Sequence, residues 1–431
     1  MKKILVVLLL LQGWLMSEEI VKIDVSGTEV PMIFEKSDYV PIISMQIVFR
    51  DSGALYDSKA GLAVMSAKLL SEGTKKDGSV GFASKLENHA IHLSASSGIE
   101  TFSIDLSALK SEFGKGVVLL KELLNDPNYT EETVDRIKTQ QIGWLTQQKS
   151  NFDYLASLGL KETLFEDTDM GRPRAGTIES IESMMLDEMQ NYLVSHLGKN
   201  NAIVIIGGDI NRDDAKKIVS DVMSLLPTVT VKESPRISVT DKRETHRIEA
   251  ETEQAYIYFG APFDLKYSDP QQYIAKVAEY ILGGSGFGSR LMEEIRVKRG
   301  LAYSAYGHFV NSRTTAYLTG YLQTKLENEK EAKALVQTLV DTFVEEGITQ
   351  KELDAAKEFL IGSEPLRSET LSQRLDRAYS EYYYDRPMGY NKEQLKKIEA
   401  LTLNEINDFI KRHKEISKLS FSIVTDKKVK E

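Results

Sequence analysis

The residues best suited to chemistry lie between Gly283 and Gly307, in the stretch GGSGFGSRLMEEIRVKRGLAYSAYG. Arg296 and Tyr303 both donate hydrogen bonds, and an arginine side chain keeps its charge at any workable pH. Two fixed donors brought to one place can hold a peptide carbonyl, or the oxyanion that it becomes during hydrolysis. The surrounding residues must do the positioning. Gly283, Gly284, Gly286 and Gly288 make a flexible turn. The spacing of Leu291 and Ile295 predicts a short amphipathic helix with Arg296 in its last turn. Gly300 reads as the helix stop. Leu301 and the aromatic, alternating residues from Tyr303 onward predict a returning strand. The plainer alternative is that Arg296 is a cation favoured by the helix dipole and Tyr303 an ordinary strand aromatic.

The chain is internally repeated. Leu186–Asp187–Glu188–Met189–Gln190–Asn191–Tyr192–Leu193 is matched by Leu403–Asn404–Glu405–Ile406–Asn407–Asp408–Phe409–Ile410. Ile181 and Ile398 keep the same register, and each copy is followed by an apolar strand, Ala202 to Ile206 and Leu419 to Val424. A second echo pairs Ala67 to Thr74 with Ala278 to Ser285. So long a period fits two homologous domains rather than a solenoid.

Leu226–Pro227 closes the helix that starts at Arg212, and Thr228 to Thr245 is polar, β-branched and interrupted by proline. The division is therefore residues 20–225, a linker over 226–245 with some extended structure, and residues 246–431. Ile43 to Phe49 and Phe102 to Leu106 alternate as half-buried strands. Ala60 to Leu70, Ser111 to Leu124, Thr133 to Thr146 and Asn151 to Phe165 have helical spacing. Thr349 with Glu352, and Thr402 with Glu405, are capping boxes. Strands and helices cluster in blocks, which makes the class α+β layering rather than strict βαβ alternation.

Composition narrows the chemistry. The 431 residues carry a formal charge of −10 and no cysteine. The acidic balance argues against nucleic acid as a partner. Disulfides, thiolate zinc sites, cysteine nucleophiles and lipoprotein-type acylation are excluded. Lys2 and Lys3, then Ile4 to Leu11, then Ser17 before Glu18 and Glu19, read as a secretory signal over residues 1–17. The expectation is export to a bacterial periplasm, with no membrane insertion once the signal is removed; the alternative is an uncleaved anchor. Glu87–Asn88–His89–Ala90–Ile91–His92 holds the one local histidine pair, but a helix running into a strand there turns the two rings apart. The glycine-rich turn follows a helix and lacks the Gly-Lys-Ser/Thr of a phosphate loop, and no Gly-x-Ser-x-Gly elbow occurs.

From about Ile20 to about Lys427 the chain resembles the insulinase/pitrilysin zinc peptidases, including the mitochondrial processing peptidase subunits and the bacterial paired-subunit peptidases. Gly283 to Gly307 carries the likeness to that family's C-terminal-domain signature. The resemblance implies an inverted zinc motif, His-x-x-Glu-His, on the helix before a Gly–Thr turn. Here that helix reads Gly61-Leu62-Ala63-Val64-Met65-Ser66-Ala67-Lys68-Leu69-Leu70-Ser71-Glu72-Gly73-Thr74. The motif positions are Val64, Ala67 and Lys68, so both ligands and the base are gone, and an ammonium at Lys68 would repel a dication. No glutamate lies between Glu132 and Glu162 to serve as the third ligand.

What the resemblance implies is a fold of two homologous domains, each an antiparallel-rich sheet covered by helices, and a non-catalytic, substrate-binding subunit of a heteromeric zinc metallopeptidase. No cofactor is expected in this chain; zinc is expected in a homologous partner, and the pair would act on extended peptides. This chain would donate Arg296 and Tyr303, with the glycine-rich turn handling substrate. The alternative is a non-enzymatic scaffold on the same fold, like the core subunits of respiratory complexes.

Overall fold

The computed structural model describes residues 19–233 and 236–429, so the signal over residues 1–17 lies outside the described residues. The first half contributes strands β1 (Glu19–Val25), β2 (Thr28–Lys36), β3 (Ile42–Arg50), β4 (His92–Ser97), β5 (Thr101–Leu109) and β6 (Ala202–Gly208). Its helices are α1 (Leu62–Leu70), α2 (Gly78–Asn88), α3 (Lys110–Asn125), α4 (Glu131–Gln148), α5 (Phe152–Leu164), α6 (Ile178–Glu182), α7 (Leu186–His196) and α8 (Arg212–Met223). The second half contributes β7 (Thr245–Glu249), β8 (Gln254–Pro262), β9 (Ala302–Asn311), β10 (Ala316–Lys325) and β11 (Ser420–Thr425). Its helices are α9 (Gln272–Glu279), α10 (Glu329–Glu346), α11 (Gln350–Gly362), α12 (Leu371–Tyr383), α13 (Tyr390–Ala400) and α14 (Leu403–Arg412).

The repeat seen in the sequence is a repeat of topology. The first sheet runs β1-β2-β6-β3-β5-β4 and the second β7-β11-β8-β10-β9. In each, the last strand of the half lies parallel to one neighbour, β6 to β2 and β11 to β7. The other neighbours pair antiparallel. The echoed helices are α7 and α14, and Ile181 and Ile398 are both fully buried. Both predicted capping boxes form, on α11 and α14. The class is α+β, as expected, with each main core between one sheet and its own helices.

Strands β6 and β11 are buried along their whole length. A strand with one wet face alternates; one covered on both faces reads as a continuous apolar run. Val204 and Ile206 enter the first main core, while Ile203 and Ile205 face the other way, onto Leu375 and Ala378 of α12. That helix comes from the second half. Reciprocally, α5 of the first half packs on β8 and β11 of the second sheet. Gly159 permits the approach, since a Cβ there would lie 2.6 Å from Ser422 Oγ. The halves thus exchange a covering helix, and a carboxylate on β2 meets a guanidinium on α12: Glu35 Oε1 accepts from Arg374 Nε at 2.9 Å. Glu100, between β4 and β5, accepts from the Thr314 amide at 2.9 Å and from the Tyr383 hydroxyl at 2.7 Å.

The described part of the linker forms no paired strand before Thr245, where β7 begins. It is tied down instead by single contacts. The Ile237 amide donates to Thr314 O and the Thr240 amide to Leu164 O, and Ile237 and Val239 pack beside Leu160 and Leu164. Among the described residues, no helix is long and apolar enough to cross a membrane.

Candidate functional site

Helix α9 runs on into a π-wound turn, Tyr280–Gly284. Gly283 is buried there against the edge strand β9: a Cβ would lie 2.4 Å from the Gly307 amide nitrogen. Gly284 is half-buried, while Gly286 and Gly288 are exposed. The helix that follows forms as the spacing predicts, but it is π-wound over Met292–Lys298, a winding often found at functional sites. Leu291, Ile295 and Leu301 are buried beneath it. Gly300 adopts φ +61°, and its amide donates to Arg296 O while that of Leu301 donates to Ile295 O. Arg290 fixes the start of the helix through two bonds to Glu352, at 2.6 and 2.9 Å.

This frame brings Arg296 and Tyr303 together. The Arg296 Cζ lies 4.4 Å from the Tyr303 ring centroid and 4.7 Å from that of Phe287. Both rings are open to solvent, Tyr303 at 81% and Phe287 at 69%. Lys298 and Arg299, on the same helix, are both paired with Glu294. Arg296 has no carboxylate partner and commits no N–H to an acceptor among the described residues. Cation–π contact contributes about 0.5–1 kcal/mol at an exposed site, enough to bias the guanidinium while leaving its donors available. Phe287 was not singled out by the sequence. Its signal was there: it is the one large apolar residue in a turn of glycine and serine, where burial has no use for it.

The positions that would carry the zinc motif sit on α1. Val64 and Lys68 are half-buried and Ala67 is buried. On α4, packed against α1, Glu131, Glu132 and Asp135 are exposed. Its buried Gln141 is spent on Ala175 O at 2.8 Å. Among the described residues, no group of three or more His, Cys, Asp or Glu could hold a metal. A valine, an alanine and an ammonium do not make a zinc donor set. His89 pairs with Glu112 of α3, and His92 with Ser94 of its own strand. The edge strand beside α1 is also partly occupied: the Ala95 amide donates to Ser71 Oγ, and Ser97 O accepts from Arg174.

Asp57, five residues before α1, is 6% exposed, and its Oδ1 accepts from the Ala63 amide at 2.8 Å. Burial pushes its carboxyl up from 3.8 to about 7, against the pull of the first amides of α1 and of Arg172. The folded chain therefore holds a proton that the unfolded chain releases above pH 3.8. This group's contribution to stability is present at low pH and is lost as pH rises through about 7. At about 1.36 kcal/mol per pH unit the span is about 4 kcal/mol. Asp57→Asn keeps the acceptor and removes the titration. Urea unfolding should find it more stable than the parent at pH 8 and nearly equal at pH 4; equal stability at both would contradict the assignment.

Comparison with known proteins places the chain. Residues 32–178 match the family profile described as insulinase (peptidase family M16), and residues 183–360 match the peptidase M16 inactive domain. The chain is 42% identical to a Helicobacter pylori protein named non-peptidase homolog YmxG, over 99% of both chains. Its fold is that of a Pseudomonas fluorescens peptidase M16 inactive domain, with a TM-score of 0.85, 23% identity, and 94% and 98% of the two chains covered. It also superposes on the first half of the periplasmic protease PqqL from Escherichia coli, with a TM-score of 0.76, 14% identity, and 96% and 93% covered.

Proposed function

This chain belongs to the insulinase family of peptidases, family M16, and we propose that it is a non-catalytic, substrate-binding subunit of a two-chain zinc metallopeptidase. Peptide hydrolysis by such an enzyme needs a metal-activated water and donors for the developing oxyanion. This chain has the second part and lacks residues for the first. One observation carries the reading. Arg296 is held between its aromatic neighbours with its N–H groups uncommitted, on a chain whose zinc positions are Val64, Ala67 and Lys68. A homologous partner with an intact His-x-x-Glu-His supplies zinc and the base; Arg296 and Tyr303 hold the scissile carbonyl. Tyr303 stands on β9, an edge strand of the second sheet. An extended peptide added there by main-chain hydrogen bonds would run past the guanidinium. Export to the periplasm fits this role, and the fold of the periplasmic PqqL protease is consistent with it.

The test is co-purification of the native complex. A second chain of similar length bearing His-x-x-Glu-His is the expected companion; recovery of the chain only with itself would overturn the reading. The name of the Helicobacter pylori relative favours a second reading, a scaffold with no part in hydrolysis. That reading predicts stable assembly with no stimulation of peptidase activity.

A further inference from the structure

A cavity lined by charged and polar side chains lies within the second half, between α9, the turn before α12, α12 itself and the start of α13. It measures about 470 Å³ and shares no lining residue with the Arg296 patch. Lys276, Arg367, Arg377 and Arg386 line it. Of these four, only Arg377 has a carboxylate partner among the described residues, Glu364 Oε1 at 2.7 Å. Arg386 gives one N–H to Tyr267 O, lies over the Tyr384 and Tyr390 rings, and keeps its Nε buried without an acceptor. Neither the Lys276 amine nor the Arg367 guanidinium bonds to another described residue. Burial, then the charge of Arg367, pushes the Lys276 amine below the usual lysine range.

The same wall also presents acceptors that lack donors. Gln394 is 5% exposed, and its Oε1 is buried with no partner among the described residues. Glu364 Oε2 is in the same condition. The remaining acids are less available: Glu381 accepts from the Gly389 and Asn391 amides, and Asp376 takes the Ser372 hydroxyl.

Lys276 and Arg386 are half-buried and Arg367 is exposed, and a partly desolvated cation without a partner, like a buried acceptor without a donor, costs stability. Their needs are complementary, and one ligand with an anionic head and nearby N–H donors would meet both. A simple anion meets only the first. The volume falls in the ordinary range for small ligands, about 300–1,000 Å³. We propose that this cavity binds the C-terminal end of a short peptide. The free carboxylate would lie on Lys276, Arg367 and Arg386, with backbone N–H groups on Gln394 and Glu364. The zinc-bearing partner is not needed for this, so the two readings can fail separately.

The probe is the tripeptide Ala-Ala-Ala, titrated calorimetrically into the full chain, with its C-terminal amide and inorganic phosphate as the other arms. Saturable binding of the free acid is expected, weakened about tenfold or more by amidation, the scale of a charge-assisted hydrogen bond. Lys276→Met should weaken it similarly without lowering the Tm of the free protein, because it removes a half-buried charge that makes no hydrogen bond to another described residue. Gln394→Leu should weaken it while leaving the preference for acid over amide. Absence of tripeptide binding, equal binding of acid and amide, or phosphate binding tighter than the tripeptide would overturn the proposal. So would loss of binding in Arg296→Ala with none in Lys276→Met.

Discussion

Arg296→Ala is expected to lower peptidase turnover of the reconstituted two-chain complex by about 10²-fold or more, the scale set by removing one oxyanion donor. Tyr303→Phe should fall in the same range. Phe287→Ala should cost only about two- to fivefold, since it removes one exposed cation–π contact of about 0.5–1 kcal/mol and no donor. The gradation separates donation from packing: if the aromatic cluster mattered only as packing, Phe287→Ala and Tyr303→Phe would not differ in this order. Assembly should be unchanged, because Phe287 and Tyr303 are exposed and Arg296 contacts only those two rings through exposed cation–π interactions. Analytical ultracentrifugation of each variant with its partner checks that half. Unchanged turnover in both Arg296→Ala and Tyr303→Phe would assign the pair to structure.

Arg374→Met is expected to destabilise the chain by about 3–5 kcal/mol, the range for breaking a buried ion pair from one side. Glu35 is 3% exposed on β2, and Arg374 reaches it with Nε at 2.9 Å and Nη2 at 2.8 Å. The guanidinium also donates to Ser368 O and Glu369 O, which fixes the start of α12. Because α12 belongs to one half and covers the sheet of the other, the loss should appear in the contact between halves. Urea unfolding followed by two probes, one in each half, should show the transitions separating in the variant. The double change Glu35→Met with Arg374→Met should recover much of the loss, since two apolar groups leave no buried charge. A loss below about 1 kcal/mol would mean that the pair is screened as a surface bridge would be.

The helix exchange was only half legible. The unbroken apolar run from Ala202 to Ile206 already asked for cover on both faces. Nothing in the periodicity of Phe152–Leu164 or Leu371–Tyr383 says which sheet each buries against, because amphipathicity reports a buried face and not its neighbour. The register of the repeat was fully readable, since Ile181 and Ile398 occupy equivalent buried positions and α7 and α14 share their pattern. The π winding around Arg296 was not readable, because Leu291 and Ile295 suit an α-helix equally well. Nor was the cluster of Lys276, Arg367 and Arg386: these residues meet only when α9, α12 and α13 pack, and separately each reads as a solvated charge.

The measurement that bears most directly on the division of labour is reconstitution with metal counting. This chain, the zinc-motif partner and an equimolar mixture of the two would each be assayed for bound zinc and for hydrolysis of an extended peptide. The account predicts no stoichiometric zinc in this chain, zinc in the partner, and strong hydrolysis only in the mixture. Stoichiometric zinc held at Val64–Lys68 in this chain alone, or a partner equally active with and without it, would contradict the account.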